Sequence, residues 1–166
     1  MKFSYSKRSI INGVFIYSIG DTIASLLLNQ FSVTRLLGMC LIGGLIYSFE
    51  IPNYFKWIDD RTKSSDNNQK SLKNSLIRTG LALLYFNPLW IARHLLFINL
   101  FSQQYENINF SLLGIASLSF LVNIPISFAA NYLIQNVLPY KYRFTGSAVF
   151  SSLMAIYYAV SAVWFK

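Results

Sequence analysis

The chain has 166 residues, of which 54% are hydrophobic, 17% aromatic and only 12% charged. Soluble globular domains carry about 25% charged residues, and a domain this short leaves much of its surface exposed. The composition therefore excludes a soluble monomer and a disordered chain. It also excludes a disulfide scaffold, because Cys40 is the single cysteine. These features predict an integral membrane protein with one domain, residues 1–166.

Five apolar runs follow one another along the chain, and each approaches the roughly 20 residues that a helix needs to span a bilayer. They cover residues 9–29, 36–57, 76–101, 110–138 and 144–165. Embedded backbone must satisfy its own hydrogen bonds, and the runs lack the alternation of a β-barrel. The prediction is an all-α, integral membrane helical bundle with four to five transmembrane helices. Residues 59–75, between the second and third runs, are polar and are expected to form an inside loop in water.

The basic residues indicate how the chain crosses the membrane. With five spans and the N-terminus inside, eleven Lys and Arg residues fall on the inner side and two, Arg35 and Lys166, on the outer side. This is the positive-inside bias of membrane proteins. It explains most of the net charge of +8 without a nucleic-acid partner. We expect residue 65 and residue 103 on opposite sides of the membrane.

Four ionisable residues lie inside the apolar runs, where a charge costs about 2.5–3.5 kcal/mol on insertion scales. They are Asp21, Glu50, Arg93 and His94. Helical rise places Asp21 and Arg93 at similar depth, so we expect them to pair. Two interpretations stay open: these groups pair within the bundle and orient its helices, or they line a polar pathway.

Glu50 has two alternative environments of its own. It lies two residues before Pro52, where the helix is weakened. If water reaches Glu50 from the inner face, its carboxylate stays ionised and selects cations. If the site is dry, Glu50 is neutral or pairs with Arg78.

Prolines interrupt three of the runs and are expected to kink their helices, because each removes a hydrogen bond and frees a carbonyl group. An asparagine stands beside each proline and can donate to a freed carbonyl. The pairs are Pro52 with Asn53, Pro88 with Asn87, and Pro125 with Asn123. Kinked helices with polar neighbours can line a water-filled cavity.

Small residues are expected to let helices approach closely in the first two runs. These glycines are Gly13, Gly20, Gly38, Gly43 and Gly44. The pattern predicts a packed bundle rather than loosely associated helices.

The sequence carries no pattern that indicates an enzyme or a metal site. His94 is the only histidine, so no Cys/His metal spacing or His-based triad can form. There is also no glycine-rich phosphate loop with an adjacent lysine. We predict a protein that is not an enzyme and uses neither cofactor nor metal.

Several motifs, spread over residues 9–161, match those of one known family, the first with a one-residue difference in spacing and the last with a short insertion before Pro139. They are Gly13 with Gly20-Asp21; Arg35, Met39 and Gly43; Tyr54-Phe55 with Asp59; Phe86-Asn87-Pro88-Leu89; and Pro125 with Asn131-Tyr132, Pro139 and Arg143. In these motifs the chain resembles the Mpv-seventeen and peroxisomal membrane protein family.

The resemblance implies a small multi-helix protein of an organellar membrane, mitochondrial inner or peroxisomal, or a relative in a bacterial inner membrane. It also implies channel-like behaviour, and the family is usually drawn with four spans. A weaker similarity to small bacterial amino-acid exporters implies a transporter instead.

The function predicted from these features is a channel-like or small-solute pathway in a lipid bilayer, formed by a homo-oligomer or within a larger membrane complex. One alternative is a structural or assembly subunit of such a complex, which the 17% aromatic content and the short polar exterior favour. The other alternative is a small amino-acid exporter-like transporter.

Overall fold

The structure is a computed structural model that describes residues 3–62 and 71–164, with side chains described as far as Tyr157 apart from residue 155. Its regular structure is helical throughout these residues, which confirms the predicted all-α helical bundle. The α-helices are α1 (Lys7–Leu27), α2 (Val33–Leu41), α3 (Ser48–Thr62), α4 (Leu72–Tyr85), α5 (Pro88–Phe101), α6 (Ser111–Asn136) and α7 (Tyr140–Trp164). A π-helical segment, Ile42–Tyr47, joins α2 directly to α3, and a short 3-10 turn, Tyr105–Asn107, precedes α6.

Four stretches of the described residues are long and apolar enough to cross a membrane. They are α1, the continuous helix Val33–Thr62, the α4–α5 pair Leu72–Phe101, and α6. These stretches coincide with the first four apolar runs of the sequence. The fifth run forms α7, which packs along α1 and α6. The 25 residues of α7 correspond to about 37 Å of helix.

The polar loop is shorter than the sequence predicted. α3 continues to Thr62 and α4 already begins at Leu72, while residues 63–70 lie outside the described residues. The extension of α3 is stabilised from α7, because Nη1 of Arg143 binds Oδ1 of Asp59 at 2.7 Å. Tertiary contacts thus hold a polar helix end that the hydropathy pattern assigned to solvent.

The three prolines do not act alike. Pro52 and Pro125 lie inside α3 and α6, but Pro88 starts a new helix after α4 has ended at Tyr85. The predicted kink at Pro88 is therefore wrong. Asn87 explains the break, because its Oδ1 accepts from the backbone N–H of Trp90 at 3.1 Å and its Nδ2 donates to the carbonyl of Leu84 at 2.9 Å. That carbonyl is the one that Pro88 leaves without its helical donor.

Glycines bring the first two spans into backbone contact, as the sequence predicted. A methyl group at Gly13 would collide with the carbonyl oxygen of Gly43, and the reverse holds at Gly43. Gly20 faces Ser152 of α7 in the same way, and Gly38 faces the ring of Phe101. Helices that approach this closely gain dispersion contacts in a bilayer, where no hydrophobic effect drives them together.

The outside of the bundle is rich in large apolar side chains, and its interior mixes polar and hydrophobic ones. Among the described residues, 17 buried side chains are polar or charged and 19 are hydrophobic. Large apolar side chains instead cover the outside, for example Leu121, which is 61% exposed, and Leu89, which is 67% exposed. A soluble domain buries such side chains, whereas a bilayer solvates them. The surface thus fits a hydrocarbon environment, and nearly half of the buried side chains are polar or charged.

Candidate functional site

Asp21 and Arg35 form a closed ion pair inside the bundle. Arg35 donates from Nε to Oδ2 and from Nη2 to Oδ1 of Asp21, each at 2.7 Å, and both side chains are only 2% exposed. Asp21 is in the second half of α1, and Arg35 is in the first turn of α2, which Ser32 caps by accepting from the backbone N–H of Arg35. The tight turn after Leu27 lets the long arginine side chain reach back along α1. The bidentate geometry is the strongest form of such a pair.

This pair corrects two expectations. Asp21 does not pair with Arg93, and Arg35 is not a charge of the outer face, because its side chain is buried against α1. Depth along the membrane normal does not identify the partner, since every helix of a bundle offers side chains at the same depth. The partner comes from the adjacent helix of the same hairpin.

Glu50 and Arg93 form the second intramembrane pair. Arg93 donates from Nη2 to Oε2 of Glu50 at 2.7 Å and from Nη1 to Oε1 at 3.0 Å, and the Tyr85 hydroxyl donates to Oε2 at 2.9 Å. The expected partner Arg78 is wrong, because its Nε donates to Oγ1 of Thr62 at 2.8 Å. Arg93 and Glu50 are 34% and 33% exposed, so they lie at the surface of the bundle rather than in its interior.

His94 is buried between these two pairs and is 2% exposed. Its Nδ1 is hydrogen-bonded to the hydroxyl of Tyr47 at 3.0 Å, and its ring stacks on that of Trp90 with centroids 5.5 Å apart. Tyr47 is fully buried at the end of the π-helical segment. Its ring packs on that of Tyr17, with the two ring centroids 4.8 Å apart. The guanidinium of Arg93 lies 5.7 Å from the centroid of the Tyr47 ring. Aromatic side chains thus link Glu50, Arg93 and His94 into one region.

A third pair lies at the end of the bundle that carries the polar loop. It joins Asp59 of α3 to Arg143 of α7, with side chains 19% and 10% exposed. Tyr140 is adjacent, and its hydroxyl donates to the carbonyl of Pro52 at 3.3 Å. Partial burial raises the pKa of the Tyr140 hydroxyl, and the Asp59 carboxylate raises it further. Tyr140 therefore stays a neutral hydrogen-bond donor.

A stripe of polar residues runs along the buried face of α6, and we call it the α6 polar stripe. Its members recur at every fourth position and are each no more than 7% exposed: Ser119, Asn123, Ser127, Asn131 and Gln135. Sixteen helical positions separate the first from the last, which corresponds to about 24 Å of the roughly 30 Å hydrocarbon core. Successive members are offset by about 40° around the helix axis, so the stripe winds by about 160° along α6. It thus passes across the contacts of α6 with α4, α5 and α7. α7 adds a second buried series, Arg143, Ser147 and Ser151.

Several side-chain groups of the stripe have no hydrogen-bond partner within the described part of the chain. They are Oδ1 of Asn131 and both amide atoms of Gln135, a residue that is 0% exposed. Nδ2 of Asn131 donates only to the carbonyl of Ser127, one turn earlier in the same helix. An unpaired buried amide costs about 1–3 kcal/mol, and water or a ligand is the usual partner of such groups.

The stripe was not identified in the sequence, although its signal is present there. The run 110–138 carries no charge, so it contains none of the ionisable candidates, and of the stripe only Asn123 and Asn131 stand out in the sequence, as the neighbour of Pro125 and as part of a family motif. A test for Ser, Asn and Gln at a period of four would have found it, because residues four apart share one helical face. Among the described residues, no three His, Cys, Asp or Glu side chains lie close enough to hold a metal ion.

Four stretches of helix that are long and apolar enough to cross a membrane define a multi-pass, all-α membrane protein. No protein family, curated protein or solved structure matches the chain.

Proposed function

We propose that the protein is a non-enzymatic, channel-like membrane protein that conducts small polar solutes through the bundle along the α6 polar stripe. The observation that supports this proposal is the set of unpartnered amide groups of Asn131 and Gln135 on a stripe about 24 Å long. A water-filled or solute-filled passage would supply the missing hydrogen bonds. The stripe carries no formal charge, so it favours small uncharged polar molecules over ions.

Helix packing alone does not explain the stripe. Polar residues can hold membrane helices together, but they do so by hydrogen bonds between helices. Asn123 donates to Ser127 in its own helix at 2.8 Å, and outside α6 to the sulfur of Met154 at 3.0 Å. Asn131 stays within α6, and Gln135 has no partner among the described residues. Leucine at these two positions would therefore pack as well and cost less.

None of the four ionisable candidates lines the proposed passage. Asp21 and His94 are buried within the bundle, where Asp21 is paired with Arg35 and His94 is hydrogen-bonded to Tyr47. Glu50 and Arg93 pair at the outer surface, so cation selection by Glu50 is not part of the proposal. The family resemblance adds an organellar or bacterial inner membrane as the location.

Osmotic swelling of liposomes tests the pathway. Vesicles that contain the purified protein are mixed with glycerol, with urea or with potassium chloride, and light scattering reports the influx. The double variant Asn131→Leu, Gln135→Leu removes the amide groups at similar volume. Lost hydration of each amide raises the barrier by about 1–3 kcal/mol, so we expect influx of glycerol and urea to fall about tenfold or more.

The matched control is Ser117→Ala, because Ser117 is off the stripe and bonds only to the carbonyl of Leu113 in its own helix. It should conduct like the wild type. Unchanged influx in a folded double variant, or wild-type vesicles that swell no faster than empty ones, would contradict the proposal. The second result would favour a structural subunit.

A further inference from the structure

The Glu50–Arg93 pair stands on an outer face of the bundle that otherwise contacts hydrocarbon. Both side chains are about one-third exposed although the pair is bidentate, with N···O distances of 2.7 and 3.0 Å. Tyr85 adds a phenol to the same patch through its bond to Glu50. We call Glu50, Tyr85 and Arg93 the polar face patch. Like the α6 polar stripe, it consists of polar groups within the spans, but it faces outward.

Glu50 and Arg93 lie well inside their helices, away from the ends at which α3 and α5 become polar. Asp59, whose ion pair with Arg143 marks the polar end of α3, lies nine positions after Glu50. Ser102, the first residue after α5, likewise lies nine positions after Arg93. Each interval corresponds to about 13.5 Å of helix, close to half of the roughly 30 Å hydrocarbon core. The pair is thus distant from the polar ends of its own two helices, although Asn109 of the connection between α5 and α6 lines the same groove as Arg93.

Apolar grooves lie on both sides of the patch. One, of about 370 Å³, is lined by Arg93 together with Leu89, Leu96 and Leu113. The other, of about 430 Å³, is lined by Glu50 and Tyr85 together with Phe49 and Trp57. A polar centre between apolar grooves is the arrangement expected of a helix-packing surface, since side chains of a neighbouring helix can fill the grooves.

We propose that this face binds the same face of a second copy of the chain, related by a two-fold axis along the membrane normal. The argument is charge complementarity. The patch holds one carboxylate and one guanidinium at the same depth, so a two-fold axis places each arginine opposite the partner's glutamate. A patch with a net charge would need a partner of opposite charge, whereas this one is neutral and complementary to itself. The inference goes beyond the solute pathway and does not depend on it.

Cysteine cross-linking in vesicles tests the dimer. In a Cys40→Ala background, Leu89→Cys and Leu96→Cys report on the groove beside Arg93, and Leu121→Cys on the outer face of α6 is the control. Leu121 is 61% exposed and Leu89 is 67% exposed, so cysteines at these two positions are similarly accessible. The purified variants are diluted into phosphatidylcholine vesicles and oxidised. We expect at least one groove position to form disulfide dimers about tenfold faster than Leu121→Cys, because a specific interface raises the effective concentration.

The charges are tested by adding Glu50→Gln and Arg93→Gln together to the groove variant that cross-links. This removes both charges without stranding either one, and we expect cross-linking to fall at least about tenfold. Groove positions that react no faster than Leu121→Cys would overturn the proposal and leave a different protein as the occupant of the face. Unchanged cross-linking in a folded neutral variant would overturn it as well. The comparison of the groove cysteines with Leu121→Cys keeps the native charges, so it tests the dimer even if the neutral variant does not fold.

Discussion

Removing the carboxylate of Asp21 should destabilise the bundle more than any other single loss of charge. In Asp21→Asn the shape of the side chain is kept, but the guanidinium of Arg35 stays charged and buried at 2% exposure. Both hydrogen bonds of the pair are 2.7 Å long, and a bond to a charged group contributes about 1.5–3 kcal/mol. The loss of one partner of a buried ion pair costs about 3–5 kcal/mol in total.

The matched control is Asp59→Asn, because Asp59 also bonds an arginine at 2.7 Å but through one hydrogen bond and at 19% exposure. Because that pair has one charged hydrogen bond rather than two and is less deeply buried, we expect a smaller loss, of about 1.5–3 kcal/mol. The measurement is reversible unfolding of the purified protein in mixed detergent micelles, followed by circular dichroism. Fitted free energies of unfolding for both variants are compared with that of the wild type.

A double-mutant cycle separates the pair from a general loss of packing. Arg35→Gln combined with Asp21→Asn removes the stranded charge, so the double variant should be more stable than Asp21→Asn alone. Arg93→Gln should give no such recovery, because Arg93 bonds Glu50. Losses that add within about 0.5 kcal/mol for Asp21 and Arg35, or recovery by Arg93→Gln, would refute the reasoning.

Two further predictions concern the backbone. Gly13→Ala should lower the free energy of unfolding, because the added methyl group would collide with the carbonyl of Gly43. Gly80→Ala is the comparison, because the space around Gly80 is open, and it should stabilise α4 by about 0.5–1 kcal/mol. Equal effects of the two substitutions on detergent unfolding would contradict the close-contact explanation. Asn87→Ala removes the cap of α5 and the donor to Leu84, so we expect a loss of about 1 kcal/mol in the same assay. A stability equal to wild type would show that Pro88 alone sets the break.

The sequence by itself determined the class of the protein and the position of its helices. Hydropathy places the runs within a few residues of the helix ends, because backbone groups in hydrocarbon have no alternative to helical hydrogen bonds. Glycine positions also predicted close packing, since Gly13 and Gly43 can only contact at the backbone. The role of Asn87 followed from a local rule, because Pro88 frees a carbonyl four residues earlier.

Only the tertiary structure decided which polar groups meet. The sequence identifies Asp21, Glu50 and Arg93 as charges that are unfavourable inside a membrane. Helical rise gives only the depth of each residue, however, and not the neighbouring side chain that it contacts. The rotation of each helix about its axis, set by contacts such as Gly13 with Gly43, turns Asp21 toward Arg35 and leaves Glu50 and Arg93 at the surface. The packing of α4, α5 and α7 around α6 likewise buries the α6 polar stripe, whose residues are visible in the sequence but whose burial is not.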